Sequence, residues 1–301
     1  YSIEVIKSFE QTTKISLNLK YLIFAITKRD IMTNKLLFIC LAISFLSVKA
    51  QNMPLYIGTY TNGASEGIYK LEFNPQTGAL SNLQLAVATQ SPSFIAFSPN
   101  RKFIYSVNES LDGFVSAYRI QSNGLLKFLN KVDSNGKGPS HISLNKQGTK
   151  AAVSNYGGGS VSLYNISRDG KLNEASQIFN YDRKDQKSRA HSAQFFRDEL
   201  YVADLGMNTL YQYKLKNDAY ELTAPELIKM DGNPGPRHFA ITKTGQFIYI
   251  INEYGSSVTS IKRTESGFEQ IDYDSTLDQG YEGKNSCADI HLSKNELFLY
   301  G

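Results

Sequence analysis

Five segments of this chain share one layout, and their spacing constrains the fold more than any other feature. They are Pro92–Phe97, Pro139–Leu144, Arg189–Gln194, Pro236–Ile241 and Ala288–Leu292. Their third positions, with Asp289 taken in the last, fall at Phe94, His141, His191, His238 and Asp289, at intervals of 47, 50, 47 and 51 residues. About ten residues after each comes an apolar run: Phe103–Glu109 recurs as Phe247–Glu253, with Ala151–Asn155 and Leu200–Asp204 between them, an earlier copy at Leu55–Thr59 and the start of a last one at Leu299–Tyr300. A third, alternating run follows a Gly-rich turn, as in Val115–Ile120, Ser160–Tyr164 and Val258–Ile261. A shorter fourth run is expected after it, such as Leu126–Leu129. Runs of four to seven residues with period-two alternation are strands. Turn residues such as Ser98-Pro99-Asn100 and Lys243-Thr244-Gly245 separate the first strand from the second. Four antiparallel strands in each unit of about 48 residues make a propeller blade, so the fold class is all-β, a β-propeller. About five units are present. The last breaks off at Tyr300-Gly301, so the count predicts a chain incomplete at its C-terminal end.

The propeller is expected over residues 53–301, and the residues before it read differently. The first Met is Met32, and residues 1–31 read as upstream sequence with no part in the fold. Residues 32–50 have the pattern of a secretory leader: Lys35, the apolar run Leu36–Val48, and small residues at Val48 and Ala50 for cleavage before Gln51. That run is too short to span a bilayer, which takes about 20 residues. Export to the periplasm or the cell exterior is the expectation, with no membrane association after cleavage. Residues 1–50 hold seven of the 32 Lys/Arg and three of the 28 Asp/Glu, leaving 25 of each in residues 51–301. A neutral mature part has no basic footprint for nucleic acid. Cleavage would remove Cys40 and leave Cys287 alone, which excludes an intramolecular disulfide and a cysteine-based zinc site. Cys287 is expected to be buried.

Within a blade, the start of the first strand and the end of the second lie at one face, where the blades converge. All four histidines lie in or beside first strands: His141, His191 and His238 are assigned one repeat position, and His291 sits two residues off it, as core or turn. Arg237 precedes His238, and Glu253 ends the second strand of that blade, so the two should meet. Such a set can hydrolyse an ester-like bond. Glu253 takes a proton from water, Arg237 holds an anionic group or a developing oxyanion, and His191 assists the leaving oxygen. His141, His238, Asn252 and Asp289 are candidates to contact the substrate. The plain alternatives are hydrogen bonds between blades for the histidines and a structural ion pair for Arg237–Glu253. Asn108-Glu109 duplicates Asn252-Glu253 without an adjacent Arg and reads as a structural echo. Gly157-Gly158-Gly159 reads as a hairpin turn, and Asp182–Arg189 as a solvated rim loop. No metal-ligand spacing is evident.

Over residues 53–301 these motifs resemble the lactonase family of seven-bladed propellers, which includes propeller-type 6-phosphogluconolactonases and carboxy-muconate lactonising enzymes. The residues carrying the resemblance are Tyr56–Thr61, Gly138–His141, Ala190–Ala193 with Tyr201–Gly206, Gly235–His238 with Asn252-Glu253, and Cys287–His291. It implies seven blades, hydrolysis of a small-molecule lactone without a tightly bound cofactor, and an active site at His191, Arg237 and Glu253. It also implies a second Arg beyond Tyr300, which this chain does not reach. A muconate-type cyclase and a non-catalytic propeller that binds carbohydrate or protein are the rival readings.

Overall fold

The computed structural model describes residues 52–223, 228–230 and 232–301. The upstream segment and the leader lie outside the described residues. Two compact units are present. One comprises residues 57–69 and 85–301; the other, among the described residues, takes in 52–56 and 70–84. No helix occurs among the described residues.

Strands β1 (Met53–Ile57), β2 (Gly67–Phe73) and β3 (Leu80–Ala88) form a three-stranded sheet. The next two sheets are β4 (Ile95–Phe97), β5 (Phe103–Asn108), β6 (Phe114–Ile120) and β7 (Leu126–Asp133), then β8 (Pro139–Leu144), β9 (Lys150–Asn155), β10 (Ser160–Ile166) and β11 (Leu172–Asn180). The third is β12 (Ala190–Phe196), β13 (Glu199–Asp204), β14 (Thr209–Lys216) and β15 (Ala219–Leu222), with β16 (Ile228–Lys229) also paired to β14. The fourth is β17 (Pro236–Ile241), β18 (Phe247–Asn252), β19 (Ser257–Thr264) and β20 (Gly267–Ser275), and β21 (His291–Leu292) pairs with β22 (Leu299–Tyr300). These successive antiparallel four-stranded sheets are the blades of a β-propeller.

The second strands β5, β9, β13 and β18 are buried on both sides, because each is sandwiched between neighbouring sheets. In β9, Ala151 and Val153 pack with Phe103, Tyr105 and Val107 of the preceding blade, while Ala152 packs with Leu200 and Val202 of the following one. Tyr201 and Ala203 then meet Phe239, Ile248 and Ile250. Each fully buried Val, Leu, Ile or Phe among them contributes about 1.5–3 kcal/mol. The turns after β4, β17 and β21 are held by a repeated polar latch. Ser98 Oγ, Thr242 Oγ1 and Ser293 Oγ accept the backbone N–H of Phe103, Phe247 and Phe298 at 3.0, 3.0 and 2.9 Å.

Only β15, with 4 residues, is the short fourth strand expected; the others are not short. β7, β11 and β20 run for 8, 9 and 9 residues. They are outer edges, so their polar, largely exposed side chains hide the strand period that the sequence reading relied on. The glycine triad is a hairpin turn between β9 and β10, as expected.

Candidate active site

The hydrogen-bond register corrects the alignment of the repeats. In β8, β12 and β17 the pairing slips by one residue near the start, between Pro139 and His141, Ala190 and Ser192, and Pro236 and His238. The bulged residues are therefore Ser140, His191 and Arg237. His191 stands at the position of Arg237, not of His141 and His238; Ser192 takes theirs. The spacing misled because hairpin lengths differ. Six residues separate the paired Leu144 and Ala151, and likewise Ile241 and Ile248, but only four separate Phe195 and Leu200. A bulge re-aims its side chain, and here the bulged residues face one cavity.

That cavity, about 210 Å³, lies within the larger unit. Ser93, Ser140, His191 and Arg237 enter from the starts of successive first strands, and Glu109, Tyr156 and Glu253 from the residue just after β5, β9 and β18. Gly58, Thr59 and Tyr60 after β1 complete the wall, and Phe94 and His238 also line it.

Arg237 and Glu253 meet as the hairpin geometry predicted. Arg237 Nε donates to Glu253 Oε2 at 2.9 Å, with side-chain exposures of 20% and 23%. Arg237 Nη1 donates to the Ala288 carbonyl, and the backbone N–H of Glu253 donates to the Gly235 carbonyl at 2.7 Å. The guanidinium is thus fixed on two sides, and the second carboxylate oxygen of Glu253 has no hydrogen-bond partner among the described residues. Arg189 lies over the Tyr156 ring at 4.9 Å, so the end of the rim loop reaches the site. That loop is anchored by Asp204, whose Oδ1 accepts the N–H groups of Arg189, Gly206 and Met207 and whose Oδ2 accepts from Ser188 Oγ.

Below the bulged residues lies an imidazole cluster. The ring centroids of His141 and His238 are 5.2 Å apart, as are those of His191 and His238, and Phe94 packs against His141 at 4.5 Å. Burial pushes the pKa values of His141 and His191 well below the usual imidazole range, and the nearby Arg237 charge adds to this. Burial also lowers that of His238, against the opposing hydrogen bond that it donates to Asp289. Asp289 Oδ1 lies 2.8 Å from His238 Nδ1, and its Oδ2 2.9 Å from His291 Nε2. Burial alone would raise the Asp289 pKa; the His238 and His291 hydrogen bonds outweigh it and hold the carboxyl far below the usual range. We read a neutral His238 that donates its Nδ1 proton to an ionised Asp289. His191 Nδ1 and His238 Nε2 are buried without a hydrogen-bond partner.

Of the expected site residues, Glu253, Arg237, His191 and His238 line the cavity. Three others do not. Asn252 is fully buried, and its Nδ2 donates to Ser257 Oγ at 3.0 Å and Thr259 Oγ1 at 2.8 Å, a latch between strands that Asn155 repeats in its own blade. His141 lies beneath the cavity, and Asp289 backs His238 without facing the opening. Glu109 is the opposite case: it is no mere echo of Glu253 but lines the same cavity, hydrogen-bonded to Tyr60. Its place after the strand end, shared with Glu253, was the signal. Cys287 is half-buried, its Sγ 3.2 Å from Thr276 Oγ1, and is not the buried residue expected. His291 is exposed.

The model of the family described as lactonase, 7-bladed beta-propeller matches residues 54–301. The 6-phosphogluconolactonase of Formosa agariphila is 30% identical over 263 residues, covering 82% of this chain and 74% of that protein. That of Bacillus subtilis is 32% identical over 256 residues, 81% of this chain and 73% of that protein. Among solved structures, the periplasmic gluconolactonase of Pseudomonas aeruginosa superposes with a TM-score of 0.76, at 26% identity over 83% of this chain and 75% of that one. With four-stranded blades and a cavity lined from their convergent strand ends, the chain belongs to the lactonase family of seven-bladed β-propellers.

Proposed function

We propose that this lactonase opens a sugar lactone by general-base activation of water. The observation that carries the reading is the Arg237–Glu253 pair, fixed on one side by the Ala288 carbonyl and open to the cavity on the other. A water held by the free oxygen of Glu253 attacks the lactone carbonyl and gives its proton to that carboxylate. The carbonyl oxygen takes on negative charge, and the Arg237 guanidinium stabilises it in a partly desolvated site. When the tetrahedral adduct collapses, the carbon–oxygen bond of the ring breaks. The leaving ring oxygen takes the proton back from Glu253, and an open-chain hydroxy acid results. His191 is held neutral by burial, so it assists as a hydrogen-bond donor to the ring oxygen and not as a cation.

An exported task follows from the leader pattern of residues 32–50, and it favours an unphosphorylated lactone over a phosphorylated one. N-terminal sequencing of the secreted protein is expected to start at Gln51. For the reaction, acid release from δ-gluconolactone and 6-phosphogluconolactone is followed for wild type, Glu253→Gln and Arg237→Ala. Each substitution is expected to lower kcat by about 10²–10³-fold. Variants as active as wild type would sink the assignment.

A further inference from the structure

The cavity has a second carboxylate with no part in the steps above. Glu109 follows β5 as Glu253 follows β18, and Ser93 precedes Phe94 as Arg237 precedes His238 in its own blade. Glu109 therefore lacks the cation that clamps Glu253. Its side chain makes one hydrogen bond among the described residues: Tyr60 Oη donates to its Oε2 at 2.7 Å. The other oxygen, Oε1, is an acceptor with no protein donor to satisfy it. Burial, then the hydrogen bond and charge of Glu109, push the Tyr60 pKa up to about 12. The phenol stays protonated, with its proton committed to Glu109, and the adjacent Ser93 hydroxyl opposes the rise. Ser93 Oγ is itself buried and makes no hydrogen bond of good geometry.

This wall is a set of polar groups awaiting donors and acceptors on a ligand. A carboxylate only accepts, a phenol whose proton is committed also accepts, and a serine hydroxyl does both. Neighbouring hydroxyls on a sugar ring match that set. A ring without hydroxyls leaves the groups unpaired once water is displaced, and that is costly. A site built to hydrogen-bond hydroxyls discriminates strongly against analogues that lack them.

We propose that Glu109, Tyr60 and Ser93 form the hydroxyl-recognition wall of the cavity and select polyhydroxylated lactones over unsubstituted ones. The proposal rests on the lactonase reading for the orientation of the ligand, with its carbonyl at Arg237–Glu253. It is tested without turnover. Calorimetry compares the affinity of the full-length protein for D-glucono-δ-lactam and for δ-valerolactam, two non-ester analogues of equal ring size. Wild type is expected to prefer the gluconolactam by at least about tenfold, a difference of about 1.4 kcal/mol. Glu109→Gln and, independently, Tyr60→Phe are expected to cut that preference to threefold or less. A preference unchanged in both variants overturns the proposal, as does a wild type with no preference. If the preference behaves as stated but no lactone is hydrolysed, the catalytic reading fails while the recognition wall stands.

Discussion

The imidazole cluster makes the stability of this protein depend on pH above the range where carboxylates titrate. His141, His191 and His238 are buried and held neutral in the folded chain. In the unfolded chain each titrates near 6.5. Below that pH the unfolded state binds more protons than the native one, so stability is fully present above about pH 6.5 and falls as the pH is lowered. Each group adds a slope approaching about 1.4 kcal/mol per pH unit, so three together approach about 4. Between pH 7 and 5 the loss reaches about 6 kcal/mol if all three stay neutral. His238 contributes least, because the Asp289 hydrogen bond opposes its burial. Such a loss rivals the typical total stability of about 5–15 kcal/mol. Urea unfolding at half-unit steps from pH 7.5 to 5 measures the slope directly. His141→Gln should reduce it by at least about a third, since His238 contributes least, whatever it does to stability at pH 7. A midpoint that stays constant down to pH 5.5, or a slope untouched by the substitution, refutes the assignment of three neutral imidazoles.

Two further outcomes follow from named contacts. Arg263 on β19 reaches Glu199 on β13 of the preceding blade through Nη1 at 3.1 Å and Nη2 at 2.7 Å, and also Tyr201 Oη at 2.6 Å. With Glu199 at 9% side-chain exposure but Arg263 at 31%, Arg263→Ala should cost about 2 kcal/mol in urea unfolding, less than a fully buried pair; an unchanged midpoint would show that the network holds nothing. At Gly58 an added Cβ would lie 2.1 Å from the Pro92 carbonyl oxygen. Gly58→Ala should therefore displace Thr59 and Tyr60, destabilise the chain by about 1–3 kcal/mol and weaken gluconolactam binding; a variant that binds as wild type does would show the backbone there to be free to move.

How much the sequence decided by itself depends on the level. The repeat interval and the apolar second strands determined the blade architecture, because a strand packed between two neighbours must be apolar on both faces, as Ala151, Ala152 and Val153 are. The Arg237–Glu253 pair was legible too, since both ends of one hairpin return to the same face. Register was not legible. The slips at Ser140, His191 and Arg237 depend on which backbone groups pair, and a hairpin two residues shorter moved His191 from the row of His141 and His238 to that of Arg237. Nor did sequence separate Asn252, whose amide nitrogen is engaged by Ser257 and Thr259, from Glu109, whose carboxylate faces the cavity. Composition and spacing bring polar residues to the ends of strands; only the tertiary structure, by satisfying some and leaving others open, decides which are free to meet a ligand.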